Sequence, residues 1–218
     1  ALFRRGVAAV LRSEPDFEVV GEAENGAEAV AHASALQPDV ILMDVRMPGV
    51  SGPEAARRVL AALPHVKILM LSMSEGEDAV LEAVRSGAHG YLLKTAEPAE
   101  LFEGLRGVIR GEAPLSGGLA VKLLREFARQ AHEPPSPAPA RHALSPRERE
   151  ILALVADGKS NKEIAAALDL AENTVKNHLK NLLARLHLPN RVQAAVFALR
   201  QDLATARHDL VPAVDGRP

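Results

Sequence analysis

Three polar residues stand where short apolar runs stop. Asp44 closes Val40-Ile41-Leu42-Met43, Ser72 closes Ile68-Leu69-Met70-Leu71, and Lys94 closes Tyr91-Leu92-Leu93. A carboxylate, a hydroxyl and an ammonium gathered in one place suit phosphoryl transfer. The carboxylate attacks phosphorus, the ammonium neutralises the phosphoryl oxygens, and the hydroxyl donates a hydrogen bond to one of them. The loop Arg46-Met47-Pro48-Gly49-Val50-Ser51-Gly52 follows Asp44 at once, and its glycines permit a tight backbone path. A second chemistry lies far downstream. Asn173, Lys176, Asn177, Lys180 and Ala184 share one face of a helical pattern. Ammonium groups pair with phosphates or guanine edges, and an amide bonds adenine in two places. Singly, each residue has a plainer reading, as a strand cap or part of a solvated helix face. The three strand ends together weaken that reading for the first group.

The elements that must position these groups follow from periodicity. Continuous apolar runs predict buried strands at 17–23, 40–44, 67–72 and 90–94, and helical spacing fills 2–13, 27–36, 53–63, 77–86 and 98–110. Such alternation predicts an α/β fold, a doubly wound parallel sheet covered on both faces. In a parallel sheet all strand C-termini share one edge, where ligands bind, so Asp44, Ser72 and Lys94 are expected to converge there. After residue 143 the strand signal ends and four helices are expected. Two open on capping boxes, Ser145-Pro146-Arg147-Glu148 and Ser160-Asn161-Lys162-Glu163. The segments 161–168 and 172–186, joined by Asp169-Leu170-Ala171, have helix-turn-helix proportions. Val175, Leu179, Leu182, Leu183 and Leu186 form the buried stripe of the second.

Composition sets the boundaries. The 218 residues suffice for two small domains. Residues 1–113 hold 11 Lys+Arg against 17 Asp+Glu, a net −6; residues 141–203 hold 10 against 7, a net +3. Four prolines in 133–140 rule out a helix interior or central strand there and read as a linker. The expected division is 1–113, an amphipathic helix (117–130) plus linker within 114–143, a helical domain at 144–203, and a disordered tail at 204–218. Cysteine is absent, which excludes disulfides and thiolate chemistry; tryptophan is absent too, which argues against an aromatic base-stacking platform. No apolar run reaches membrane-spanning length and no secretory signal opens the chain. The eight histidines show no metal spacing and read as surface imidazoles.

Residues 1–110 resemble the receiver domain of two-component response regulators. The match rests on Leu42-Met43-Asp44-Val45-Arg46-Met47-Pro48-Gly49, on Leu71-Ser72, and on Gly90-Tyr91-Leu92-Leu93-Lys94. The resemblance implies Asp44 as phospho-acceptor, Ser72 as switch hydroxyl, Tyr91 as switch aromatic and Lys94 as phosphate-sensing lysine. It also implies Mg²⁺, held by Asp44 and the backbone carbonyl of Arg46. From the residues alone, Tyr91 reads as a strand aromatic packed under a helix. The family carries a first strand ending in an acidic pair that holds Mg²⁺. This chain opens at Ala1-Leu2-Phe3-Arg4-Arg5-Gly6, already a helical pattern, so that strand and pair are expected to belong to a longer natural chain. Glu14, Asp16, Glu22 and Glu24 are the nearest acids but lack the pair's placement.

The second half resembles a LuxR-type DNA-binding domain over 144–200. The match is carried by Leu144-Ser145-Pro146-Arg147-Glu148-Arg149-Glu150-Ile151-Leu152, by Gly158-Lys159-Ser160-Asn161-Lys162-Glu163-Ile164-Ala165, and by Thr174-Val175-Lys176-Asn177-His178-Leu179. The resemblance implies that Lys176, Asn177 and Lys180 face the major groove with Thr174 and His178 near the DNA backbone. It implies a final helix, starting at Asn190, that dimerises on DNA through Val192, Ala195, Val196 and Leu199. Ala171 replaces the usual Ser at the recognition-helix start, a cap weaker by roughly 1 kcal/mol. Together the two halves resemble a NarL/FixJ-type response regulator, a cytoplasmic bacterial transcription factor. The expected partners are a sensor histidine kinase, double-stranded DNA, RNA polymerase and a second copy of the chain. Phosphorylation would draw Ser72 inward, let Tyr91 turn into the space vacated, and promote dimerisation and promoter binding. The alternative is a DNA-binding regulator independent of phosphorylation, with the first domain serving dimerisation. An aspartate-nucleophile phosphatase is disfavoured: Arg46 stands where such enzymes commonly carry a second Asp as general acid.

Overall fold

The computed structural model describes residues 2–73, 76–114 and 144–201; the expected amphipathic segment, linker and tail lie outside them. These residues form two compact units, one on each side of 115–143. Among them no helix is long and apolar enough to cross a membrane.

The first unit runs α1 (Leu2–Arg12), α2 (Gly26–Leu36), β1 (Val40–Asp44), α3 (Gly52–Ala62), β2 (Lys67–Ser72), α4 (Glu77–Arg85), β3 (Gly90–Leu93) and α5 (Pro98–Arg110). The strands form a parallel sheet in the order β1-β2-β3. β2 is central and buried from Ile68 to Ser72, as its uninterrupted apolar run requires. Alternation divides the sheet into two faces. Leu69, Leu71 and Leu92 join Leu11 of α1 and Leu101, Leu105 and Val108 of α5 in one core cluster. On the other side α3 packs against β1 and α4 against β3. Met43, Ile68, Met70 and Tyr91 are each at most 2% exposed.

Two expectations need correction here. The segment 17–23 is in neither helix nor strand. Its side chains do alternate, with Phe17 and Val19 half-buried against the core and Glu18 and Val20 exposed. A strand needs a ladder of backbone bonds to a neighbour, however, and among the described residues the sheet has three strands, none of which pairs with this segment. His89 is not a surface imidazole. It is 8% exposed, and its Nδ1 accepts a hydrogen bond from the Ile68 N–H at 3.3 Å. Burial, and then the Lys67 ammonium, push the imidazole from 6.5 down to about 3.

After α5 the chain turns back at Gly111, in the left-handed conformation (φ 79°) that glycine adopts freely. The Tyr91 N–H on β3 then donates to the Pro114 carbonyl at 2.9 Å. A Cβ at Gly90 would meet Pro114 Cγ at 2.7 Å, so the strand can be approached this closely only because residue 90 lacks a side chain.

The second unit comprises α6 (Pro146–Ala156), α7 (Asn161–Leu168), α8 (Glu172–Arg185) and α9 (Arg191–Arg200). Both capping boxes are made: Ser145 with Glu148, and Ser160 with Glu163. α7 ends at Asp169, which takes the left-handed conformation (φ 52°), and Ala171 opens α8 without a side-chain cap. Ile151, Leu152, Leu154, Ile164, Val175, Leu179, Leu182 and Ala198 fill the core.

Candidate functional site

β1 and β2 are in a register that sets Asp44 opposite Leu71, and Ser72 opposite Leu93 of β3. The bonds continue past the strands: the Val45 N–H donates to the Leu71 carbonyl at 2.9 Å, and the Lys94 N–H to the Ser72 carbonyl at 2.7 Å. Register therefore brings residues 44, 72 and 94 to one edge, although 50 positions separate the first from the last. The Lys94 ammonium donates to Asp44 Oδ2, with the two side chains 15% and 33% exposed. The Arg46 N–H donates to Asp44 Oδ1 at 3.0 Å. The carboxylate is thus held at both oxygens yet reachable from solvent. Gly52 is what lets α3 start so near. A Cβ there would lie 2.1 Å from the Asp44 carbonyl oxygen.

Ser72 is 3% and Tyr91 1% exposed. The Ser72 hydroxyl hydrogen-bonds the Tyr91 phenol, which burial pushes up against the lowering effect of that bond. The Tyr91 ring lies inward in this structure. The four acids considered beside the site are all engaged. Glu22 and Glu24 pair with Arg4, and Glu22 also with Arg12; Glu14 and Asp16 pair with Arg106. Among the described residues no three His, Asp or Glu cluster as a metal site. Asp44 and the Arg46 carbonyl supply one carboxylate and one neutral oxygen. That fits Mg²⁺, which needs few protein ligands and keeps its remaining coordination for waters and phosphate oxygens.

On α8 the expected division of faces is present. Val175, Leu179 and Leu182 are buried; Asn173, Asn177, Lys180 and Ala184 are exposed, and Thr174, Lys176 and His178 half-buried. Lys176 pairs with Glu172 one turn earlier at 3.2 Å. On α9, Ala195 and Leu199, expected at a dimer face, pack against this unit's own core. Two contacts escaped the sequence reading. The Phe3 ring lies under the Lys94 ammonium at 4.9 Å. Arg185, at the end of α8, meets Glu148 of α6 at 2.7 Å. Glu148 was visible only as a capping residue, and nothing local announces either contact.

Comparison with known proteins accords with both halves. The response regulator receiver domain family matches residues 1–106, and the bacterial regulatory proteins of the luxR family match residues 142–198. The chain is 42% identical over 202 residues to the transcriptional regulatory protein LiaR of Bacillus subtilis, covering 93% of this chain and 94% of that protein. It is 39% identical over 196 residues to the nitrate/nitrite response regulator NarL of Escherichia coli, covering 90% and 89%. A LuxR-family response regulator structure from Aurantimonas sp. SI85-9A1 aligns with a TM-score of 0.55 at 30% identity, covering 58% of this chain and 91% of that one. By name the first of these is a transcriptional regulatory protein and the other two are response regulators. The chain belongs to the NarL-type two-component response regulators, with a receiver domain followed by a LuxR-type helix-turn-helix domain.

Proposed function

We propose that this regulator takes a phosphoryl group on Asp44 from a sensor histidine kinase and, so charged, dimerises on DNA. The observation that carries the reading is the meeting of Asp44 and Lys94 at the one sheet edge to which the register also brings Ser72. An Asp44 carboxylate oxygen attacks phosphorus. The P–N bond of the kinase phosphohistidine breaks as the P–O bond of an acyl phosphate forms, and the leaving imidazole takes a proton. Lys94 transfers its hydrogen bond from the carboxylate to a phosphoryl oxygen. Asp44 and the Arg46 carbonyl would hold Mg²⁺, whose charge offsets that of the phosphoryl group when bound. Ser72 has one O–H to donate and lone pairs to accept. It can give its proton to the phosphoryl group while accepting from Tyr91, which locks the phenol inward.

The output follows from α8. Lys176, Asn177 and Lys180 enter the major groove, Thr174 and His178 approach the sugar-phosphate backbone, and two copies read paired half-sites. The functional division is then receiver 1–113, connector 114–143, DNA-binding domain 144–203 and tail 204–218, acting in the cytoplasm and on RNA polymerase at the promoter. Labelling with acetyl phosphate and Mg²⁺, followed by sizing with and without a DNA duplex, tests the reading. We expect label on the wild-type chain, none on Asp44→Asn, and a larger species only with label. A dimer that binds DNA equally without label would instead favour a phosphorylation-independent regulator.

A further inference from the structure

The apolar stripe of α8, Val175, Leu179 and Leu182, packs the helix against its unit, and polar contacts at its ends add directional bonds to that packing. At the start of α8, Ala171 offers no side-chain cap. The far end is different. Arg185 Nη2 meets Glu148 Oε2 at 2.7 Å, and the same carboxylate oxygen accepts the Ser145 N–H at 2.8 Å. The Glu148 side chain is 17% exposed against 39% for Arg185, so the contact lies with the acid on the inner side. Ser145 in turn caps α6. One carboxylate therefore ties the first turn of α6 to the last turn of α8.

We infer that Glu148 and Arg185 are positioning residues for DNA recognition, forming a clamp that fixes the angle at which α8 presents Lys176 and Asn177. The inference rests on the DNA-binding reading of α8. Nine residues separate Lys176 from Arg185, a lever of about 13 Å at the helical rise. A tilt of about 5° around the Arg185 end moves the Lys176 backbone by about 1 Å, enough to spoil a hydrogen bond to a base edge. Contacts to phosphate tolerate such a shift far better, because a charge attracts over distance. The clamp should thus govern sequence discrimination and leave the electrostatic part of binding alone.

The test uses the full chain, labelled with acetyl phosphate and Mg²⁺, and two DNA probes: the duplex that the labelled wild-type chain selects from a random-sequence pool, and a shuffled duplex of the same composition. Glu148→Gln retains an oxygen to accept the Ser145 N–H and removes only the charge. Arg185→Met retains the aliphatic stem at an exposed position, so at least this variant folds. Each should bind the selected duplex roughly five- to thirty-fold more weakly, and the double variant no worse than either single one. Affinity for the shuffled duplex and the dependence of binding on salt should stay unchanged, and Arg185→Lys should recover most of the loss. The clamp is overturned if Glu148→Gln binds the selected duplex as well as wild type or better. It is equally overturned if Arg185→Met flattens the salt slope by about 0.9, the mark of a lost phosphate contact. A wild-type chain that enriches no sequence overturns the DNA reading itself, a result distinct from both.

Discussion

His89 offers a measurement in which the magnitude follows from burial and one neighbouring charge. Its folded-state imidazole is held from 6.5 down to about 3 by burial and the Lys67 ammonium. Between those values the unfolded chain binds a proton that the folded chain refuses, so stability falls with acidification. The contribution is fully present above pH 6.5 and is lost as pH drops toward 3. From pH 7.5 to 5.5 only the unfolded form titrates, and the loss is about 1.4 kcal/mol whatever the exact folded value. At a urea slope of about 1–2 kcal/mol/M, the midpoint should fall by roughly 1 M. Tyr91 is the only tyrosine and tryptophan is absent, so intrinsic fluorescence reports the first unit by itself. Urea titrations of wild type and His89→Gln at both pH values isolate the term. The glutamine can still accept the Ile68 N–H and has no charge to gain. Wild type should lose about 1.4 kcal/mol more than the variant over this interval. Equal losses in the two chains would refute the reasoning and mean that the buried imidazole takes up its proton without difficulty.

Other outcomes follow from contacts already described. Ala171→Ser supplies α8 with its missing cap and should raise the stability of the second unit by about 1 kcal/mol, seen as a higher melting temperature of its helical circular dichroism. Gly52→Ala forces a methyl group toward the Asp44 carbonyl and should cost about 1–3 kcal/mol in the first unit while slowing acetyl phosphate labelling. Lys176→Ala should weaken DNA binding and, if the ammonium meets a phosphate, flatten the salt slope by about 0.9; an unchanged titration removes it from the interface.

Much of the first unit was legible because its information is local and repetitive. β1 and β2 coincide with the apolar runs that end in Asp44 and Ser72, and a parallel sheet then forces those ends together. The overreading of 17–23 shows the limit: alternation marks a segment able to line a core, but a ladder needs a neighbour that no local pattern supplies. Both capping boxes could be read because donor and acceptor lie three residues apart. The Phe3–Lys94 contact and the Glu148–Arg185 pair join residues far apart in sequence, and Phe3 on its own looks like any helix-face aromatic. The burial of His89 was likewise invisible, since a histidine before a strand carries no sign of depth.

The bond from Tyr91 to Pro114 has a consequence for solubility. Among the described residues β3 is the last strand on its side of the sheet, and an outermost strand invites a foreign strand to add. Here the invitation is answered from within the same polypeptide, by a residue that accepts a bond and has no N–H with which to pass one on. The sheet ends there in a full stop, and a crowded cell gains one fewer template for aggregation.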